Sequence, residues 1–151
     1  MDMVLEDLQP VHAMASRLVT RLQSAAGRRT AGMKLLRRIN INGVTYCCAN
    51  SHIGNSVIQY YPQKSSSALV VGEIEYIIID NGTTYLTIRR HQSIPLNTQD
   101  PFAKYNDFPG RLYSIDLMEP EAIKSSQVRT HAARLQLAKK KLAVIVPLNR
   151  Y

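Results

Sequence analysis

The dipeptide Asn81-Gly82 interrupts a stretch rich in β-branched and aromatic residues, residues 72–90. A two-residue type I′ turn needs positive φ at both central positions, which Asn tolerates and Gly adopts freely. Before the turn, apolar residues recur at every second position, with Ile74, Tyr76 and Ile78 on one face. This alternation is typical of a half-buried strand. The sequence therefore predicts a β-hairpin, and the rest of the chain is interpreted around it.

The open end of this hairpin carries opposite charges. Glu73 and Glu75 come roughly opposite Arg89 and Arg90 when the turn is placed at residues 81–82. We expect cross-strand ion pairs here. Exposed pairs contribute at most about 1 kcal/mol each, so their main effect would be to set the register of the two strands.

Further strands are predicted on both sides of the hairpin. Residues 34–41 alternate in the same way and end at a second type I′ turn signal, Asn42-Gly43. The pattern predicts additional strands at residues 44–49, 56–61, 111–117 and 142–147, and one helical turn at residues 119–124. Residues 127–141 contain both helix-favouring and strand-favouring residues, and we predict a strand over residues 126–133. Short strands with a turn about every ten residues indicate a compact antiparallel sheet or barrel of five to seven strands.

The N-terminal region has a helical period instead. Residues 5–26 are predicted to form an amphipathic helix, and Gly27 caps its end. Pro10 would remove an internal hydrogen bond of this helix, which moves its predicted start to about residue 10. The chain then divides into a helix with a basic connector, residues 1–33, and a β domain, residues 34–151. The apolar stripe of the helix consists of Val4, Leu8, Val11, Ala15, Leu18 and Leu22.

The composition of residues 14–38 allows a second interpretation. This stretch is rich in Arg, Ala, Ser and Leu and has no acid, which is typical of a mitochondrial targeting segment. Asp2, Glu6 and Asp7 argue against it, because such segments avoid acids at their start. No secretory signal precedes the domain, and no apolar run approaches the roughly 18 residues of a transmembrane helix.

The formal net charge of +8 is unevenly distributed. No acid occurs between Asp7 and Glu73 or after Glu121, whereas residues 73–121 contain eight acids and four bases. Two basic segments thus flank an acidic centre, a layout suited to an anionic partner such as a phosphate backbone. A merely soluble basic protein is the plainer alternative. The residues predicted to bind nucleic acid are Arg17, Arg21, Arg28, Arg29, Lys34, Arg37, Arg38, Lys139, Lys140 and Lys141.

No residue set specifies a reaction. Adjacent Cys47 and Cys48 would form a strained disulfide, which fits a reducing intracellular compartment, and the four histidines do not stand at metal-ligand spacings. A cysteine activated by His52 is conceivable, but small strand residues with one thiol buried are the simpler interpretation. Phosphate-loop and nucleophile-elbow motifs are also absent from the sequence. We therefore expect neither a metal nor another cofactor, and a binding protein rather than an enzyme.

The segment 91–110 is a long, proline-punctuated loop with aromatic residues at a spacing of three, Phe102, Tyr105 and Phe108. A loop of this length is usually functional or held by its own side chains. In one interpretation both phenylalanines fill the end of a barrel. In the other, Tyr105 and its neighbours form a recognition surface, where exposed aromatic rings could stack on bases or frame a pocket.

Several segments resemble a module found in uncharacterised fungal proteins associated with mobile elements, over residues 34–151. The strand layout is also loosely similar to that of bromo-adjacent-homology (BAH) domains, which make chromatin or protein contacts. This resemblance implies an SH3-like, BAH-like barrel that acts as a binding module, and it supplies no site residues. The segments that carry it are Gly72-Glu73-Ile74, residues 84–90, Asp100-Pro101-Phe102, Tyr105, Phe108, Ile123 and residues 146–150.

Together these features predict a mainly β protein that is a non-enzymatic binding module. It would contact DNA or RNA through its two basic segments, in a nuclear or other intracellular setting, with chromatin or transposon association as an expectation. The alternative is a protein-interaction or assembly subunit that docks through the apolar stripe of its N-terminal helix.

Overall fold

The computed structural model describes residues 3–5, 33–62, 68–137 and 139–148. Within these ranges the chain forms antiparallel strands and two 3-10 helices, Ile53–Asn55 and Ser125–Gln127. The strands are β1 (Met3–Leu5), β2 (Met33–Ile41), β3 (Val44–Cys47), β4 (Val57–Tyr60), β5 (Val70–Asp80), β6 (Thr83–His91), β7 (Arg111–Ser114), β8 (Leu117–Lys124), β9 (Val128–Gln136) and β10 (Leu142–Pro147).

The strands form one mainly antiparallel sheet with the order β1-β2-β5-β4-β9-β10-β7. Beside this path, β3 pairs with β2, β6 pairs with β5, and β8 pairs with β6. The predicted mainly β class is confirmed. Over the described residues, however, the sheet is not closed into a barrel.

Both predicted hairpins are confirmed. Asn81 and Gly82 have φ of 48° and 83°, and the strands on either side pair from Asp80 and Thr83 onwards. Asn42 and Gly43 likewise have φ of 52° and 82° between β2 and β3. These are the two positive values that a type I′ turn needs.

A β-bulge changes which residues of β5 face the core. Ile74 is opposite Ile88 but Tyr76 is opposite Thr87, so Glu75 is the extra residue. A bulge shifts the alternation by one position. The expectation that Ile74, Tyr76 and Ile78 share a face is therefore wrong beyond residue 75. Ile74 and Ile77 belong to the main core cluster, whereas Ile78 packs on Tyr76 in a different one.

The long strand β5 joins two branches of the sheet. One edge of β5 pairs with β6. On its other edge, the first half of β5 pairs with β4 and the second half pairs with β2. Gly72 lies where β4, β5 and β6 are in register, and a Cβ there would be 2.7 Å from the carbonyl oxygen of Arg89 and from Ile88 Cγ2. Only glycine allows this close approach of the two strands.

Two core clusters account for most of the buried apolar side chains among the described residues. Burying each large aliphatic side chain contributes roughly 1.5–3 kcal/mol, so these clusters supply the main stabilisation of the sheet. The larger cluster consists of Leu36, Ile39, Tyr46, Cys48, Ile58, Tyr60, Ile74, Ile77, Leu86, Ile88 and Ile123. The smaller one consists of Val57, Val71, Ala132, Ala143 and Ile145.

The register of the central hairpin agrees with expectation, but its charge pairs do not. Glu73 is opposite Arg89, as predicted. Nevertheless Glu73 forms an ion pair with Arg134 of β9, and Arg89 Nε donates to the carbonyl oxygen of Met118 at 3.1 Å. Glu73 and Arg89 thus take partners on β9 and β8 in place of the expected pair with each other.

The C-terminal half confirms two strands and corrects one element. The strand predicted over residues 126–133 is present as β9, and residues 142–147 form β10 as predicted. The helical turn predicted at residues 119–124 is wrong, because these residues belong to β8. Pairing with β6 over residues 120–124 places Ile123 opposite Leu86, where it is buried.

The predicted N-terminal helix falls almost entirely outside the described residues. Its first residue, Leu5, is the last residue of β1 and pairs with Leu36 of β2. The structure does not describe residues 6–32.

Candidate functional site

Three consecutive lysines, Lys139, Lys140 and Lys141, form the turn between β9 and β10, and all three are exposed. The turn closes through a hydrogen bond from the Leu137 N–H to the carbonyl oxygen of Leu142 at 2.9 Å. Lys139 takes a positive φ of 64° within it. The hairpin therefore projects a concentrated positive charge from the end of the sheet.

The loop between β6 and β7 lies beside this turn and is held by side-chain-to-backbone hydrogen bonds. The carboxylate of Asp100 accepts the N–H of Phe102 at 2.9 Å and the N–H of Leu112 at 3.0 Å, which ties the loop to β7. At the far end, Arg111 Nη1 donates to the carbonyl oxygens of Phe108 and Gly110 at 2.8 and 2.7 Å. The expectation that this loop is held by its own side chains is confirmed.

The aromatic residues of the loop are on the surface. The rings of Phe102 and Phe108 are tilted at 53° with centroids 5.3 Å apart, a favourable edge-to-face type of contact. Phe108 is 36% exposed and Tyr105 is 55% exposed. Neither phenylalanine belongs to a core cluster, and the described sheet does not close, so the structure does not show both phenylalanines filling the end of a barrel. Phe102 and Phe108 pack on each other, and Lys104 Nζ lies 5.3 Å from the centre of the Tyr105 ring.

Three open cavities connect the loop to the lysine turn. One of about 770 Å³ lies between them, with Phe102 and Lys104 on the loop side and Leu137 and Lys140 on the turn side. A second, of about 780 Å³, shares Phe102 and Lys104 and continues along the loop. A third, of about 480 Å³, shares Leu137 and Lys140 and continues along the turn. We call this surface the lysine–aromatic groove; two acids, Asp100 and Asp107, also line it, and its basic and aromatic residues are Phe102, Lys104, Tyr105, Phe108, Lys139, Lys140 and Lys141.

The structure does not bring the ten predicted nucleic-acid-binding residues together. Lys139, Lys140 and Lys141 line the groove. Lys34, Arg37 and Arg38 are exposed on β2, which β5 and β4 separate from β9 in the sheet. The remaining four, Arg17, Arg21, Arg28 and Arg29, lie outside the described residues.

Charge counting along the sequence missed Lys104, which lies in the acidic middle of the chain. It borders two of the three cavities. The signal that could have found it is local, since Lys104 directly precedes Tyr105 within the aromatic spacing of the loop.

The cysteines are not arranged for nucleophilic chemistry. Both thiols are buried, and Cys48 Sγ donates to Asn50 Oδ1 at 3.0 Å, whereas His52 is exposed. Burial raises the pKa of Cys48, which disfavours the thiolate that a nucleophile needs. Among the described residues, no group of three or more His, Cys, Asp and Glu side chains could hold a metal ion.

A first, partly buried polar group is centred on Glu121. Its carboxylate accepts hydrogen bonds from the Tyr60 hydroxyl and from Arg90 Nη2, the latter at 2.9 Å. Burial, followed by the contact with Glu121, raises the pKa of Tyr60, which remains a neutral donor. This group joins β4, β6 and β8 and has a structural role.

A second polar group is centred on His91. Its Nδ1 lies 2.8 Å from the carbonyl oxygen of Ser114, and its Nε2 lies 3.0 Å from Arg134 Nη1. Arg134 also pairs with Glu73 through Nη2 at 3.4 Å. This group joins the end of β6 to β5, β7 and β9, and it too stabilises the fold.

Comparisons with protein-family models, with curated proteins and with solved structures find no match to this chain. In the described part of the chain, no helix is long and apolar enough to cross a membrane.

Proposed function

We propose that this protein is a non-enzymatic nucleic-acid-binding module and that the lysine–aromatic groove is its main contact surface. The observation that carries the proposal is the meeting of the three turn lysines and Lys104 along one connected set of cavities, next to exposed aromatic rings. Lysines bind phosphate oxygens as point charges, and phosphate contacts dominate the affinity of proteins for nucleic acids.

The charges of the groove are available to a ligand. The ion pairs of Arg90 with Glu121 and of Arg134 with Glu73 lie at the polar groups centred on Glu121 and His91. Of the two acids that line the cavities, Asp107 is on the loop side, and Asp100 accepts two backbone N–H groups. The groove therefore carries four lysines with their charge directed to solvent, as an electrostatic site for phosphates requires.

The proposal also includes the expected type of barrel and the expected cellular setting. Bulges bend strands and are frequent at the rims of barrels, so the bulged β5 supports a relationship to SH3-like, BAH-like barrels. Nuclear, chromatin or transposon association remains a prediction. The alternative of an assembly subunit depends on the N-terminal helix, which lies outside the described residues.

Two matched triple variants test the proposal. Lys139, Lys140 and Lys141 are changed to Gln in the first, and Lys34, Arg37 and Arg38 in the second, so that each loses three exposed positive charges. Binding of labelled 20-nucleotide DNA and RNA is measured by fluorescence anisotropy between about 50 and 200 mM salt. We expect the first variant to lower the salt slope by about 2–3, because each lost phosphate contact removes about 0.7–0.9.

The β2 variant is the control for charge alone, and we expect it to change the slope by less than about 1. Equal losses in the two variants would mean that net charge, and not the groove, causes binding. Wild-type affinity that does not change with salt would refute nucleic-acid binding altogether.

A further inference from the structure

We infer that the outer part of the groove is a stacking site for unpaired bases, so that the preferred ligand is single-stranded nucleic acid. This inference rests on the proposed function and names its substrate class. The site is the cavity of about 780 Å³ lined by Phe102, Lys104, Tyr105, Asn106, Asp107 and Phe108.

The first argument is the exposure of the rings. Tyr46 and Tyr60 are 3% and 0% exposed in the core, whereas Tyr105 is 55% and Phe108 36% exposed on one loop. Large aromatic rings usually contribute by burial, so two exposed rings beside one cavity indicate a surface that a ligand covers. Successive bases stack on aromatic side chains of this kind in proteins that bind single strands.

The second argument is that the rings are held in place before a ligand binds. Asp100 fixes the start of the aromatic segment through the N–H groups of Phe102 and Leu112. Arg111 fixes its end through the carbonyl oxygen of Phe108, and the Phe102 ring packs on the Phe108 ring. A site formed in advance lowers the entropic cost of binding.

The third argument is the combination of charge with apolar surface. Lys104 lies beside the Tyr105 ring, so a phosphate bound by Lys104 would bring its own base close to that ring. From there the groove continues over Leu112 and Leu142 to Lys140, and on to Lys139 and Lys141. Lysines at intervals along apolar and aromatic surface match a strand whose phosphates and bases are both accessible.

A duplex cannot use this site fully. Its bases are stacked and paired, so only its phosphates can reach the lysines, whereas a single strand can also insert a base between aromatic side chains. The structure therefore separates two contributions to binding. The lysines would bind both forms, and Tyr105 and Phe108 would favour the single strand.

The experiment compares Tyr105→Leu and Phe108→Leu with the conservative variant Tyr105→Phe. Leu96→Ala is the control, because Leu96 is fully exposed on the same loop and does not line the cavities. Affinities for a single strand and for a duplex of the same sequence are measured at constant salt. A 2-aminopurine base in the single strand reports stacking through the quenching of its fluorescence.

We expect each Leu variant to weaken single-strand binding roughly 5- to 150-fold and to reduce the quenching, while duplex affinity changes by less than about 3-fold. Tyr105→Phe and Leu96→Ala should behave as wild type. Equal wild-type affinity for the two forms, or unchanged quenching in both Leu variants, would overturn the inference. The proposed function would survive that result if the lysine variant still lost binding.

An acidic polypeptide, poly-glutamate, tests the other class of anionic occupant. If it competes with the single strand at equal charge concentration, and if Tyr105→Leu does not alter this competition, the groove is a general anion surface and the inference fails. Weak competition by poly-glutamate supports base stacking.

Discussion

The protonation state of His91 follows from its two neighbours. Arg134 can only donate a hydrogen bond, so Nε2 of His91 must accept it. The proton of the ring is therefore on Nδ1, which donates to the carbonyl oxygen of Ser114. The ring is therefore neutral. Burial lowers the pKa of His91, and the positive charge of Arg134 acts in the same direction, while the contact with Ser114 and the charge of Glu73 oppose them.

This neutral ring predicts a loss of stability in mild acid. In the unfolded chain His91 titrates near 6.5, whereas its folded pKa is lower, so below about pH 6.5 the unfolded state binds more protons than the folded state. Stability is therefore complete above this pH and falls as the pH decreases towards the folded pKa. We expect the melting temperature of the wild type to fall between about pH 7 and 5, and His91→Gln to reduce this dependence.

Exposed His52 supplies the control for that measurement. His52→Gln should keep the wild-type pH dependence, because His52 is exposed. If the pH profiles of the His91→Gln variant and the wild type had the same slope, the buried neutral ring would not be the cause.

At the scale of the strand, the bulge in β5 depends on one buried hydroxyl. The extra residue Glu75 displaces the Tyr76 N–H from the regular ladder, and this N–H donates to Thr87 Oγ1 at 3.1 Å. Thr87 is fully buried, so no water replaces the hydroxyl. The side chain on β6 thereby pairs with a backbone group at the bulge.

Replacing Thr87 with valine tests this role. The substitution keeps the shape of the side chain and removes the acceptor, so we expect the free energy of unfolding to fall by about 1–3 kcal/mol. Urea denaturation measures it as a lower midpoint with an unchanged m-value. The same change at Thr45, which is exposed on β3, should stay within about 0.5 kcal/mol of wild type. Equal effects at the two sites would contradict the account.

The sequence predictions are correct where the structure depends on interactions between residues close in sequence, and wrong where it depends on distant ones. Both Asn-Gly turns, β10 and the strand character of β9 depend on local chemistry, and the sequence predicts them. The bulge at Glu75 and the pairing of β8 depend on the residues that β6 presents across the sheet. Strict alternation therefore mispredicts the faces of β5, and local propensity mispredicts β8.

The groove was predictable only in its parts. The lysine run and the aromatic spacing are visible in the sequence, but they lie about thirty residues apart. They meet because the loop folds back over the β7–β10 pair. Asp100 accepts the N–H of Leu112, and residues 98–104 line one cavity together with Leu142 and Lys140. The basic residues of β2 lie on the branch of the sheet that pairs with the second half of β5. They therefore do not share a surface with the turn lysines, although both segments are rich in basic residues.

At the scale of the whole molecule, the core clusters consist of residues 35–145. The N-terminal segment contributes β1, which pairs with one edge of β2. A chain that starts at Met33 therefore keeps every described core residue and exposes the outer edge of β2. Exposed Lys34, Arg37 and Arg38 on this strand oppose edge-to-edge association, because charged residues block strand pairing between molecules.

We expect the fragment 33–151 to fold cooperatively as a monomer, with a free energy of unfolding about 1–3 kcal/mol lower than that of the full chain because a few ladder hydrogen bonds are lost. Urea denaturation and light scattering measure these two properties.

The deletion removes four arginines and three acids, so it changes the net charge by one unit. If the groove is the main contact surface, the fragment should therefore retain the salt slope of the full chain. A non-cooperative transition would contradict the division of the chain near residue 33. A slope that falls by several units would instead assign phosphate contacts to Arg17, Arg21, Arg28 and Arg29.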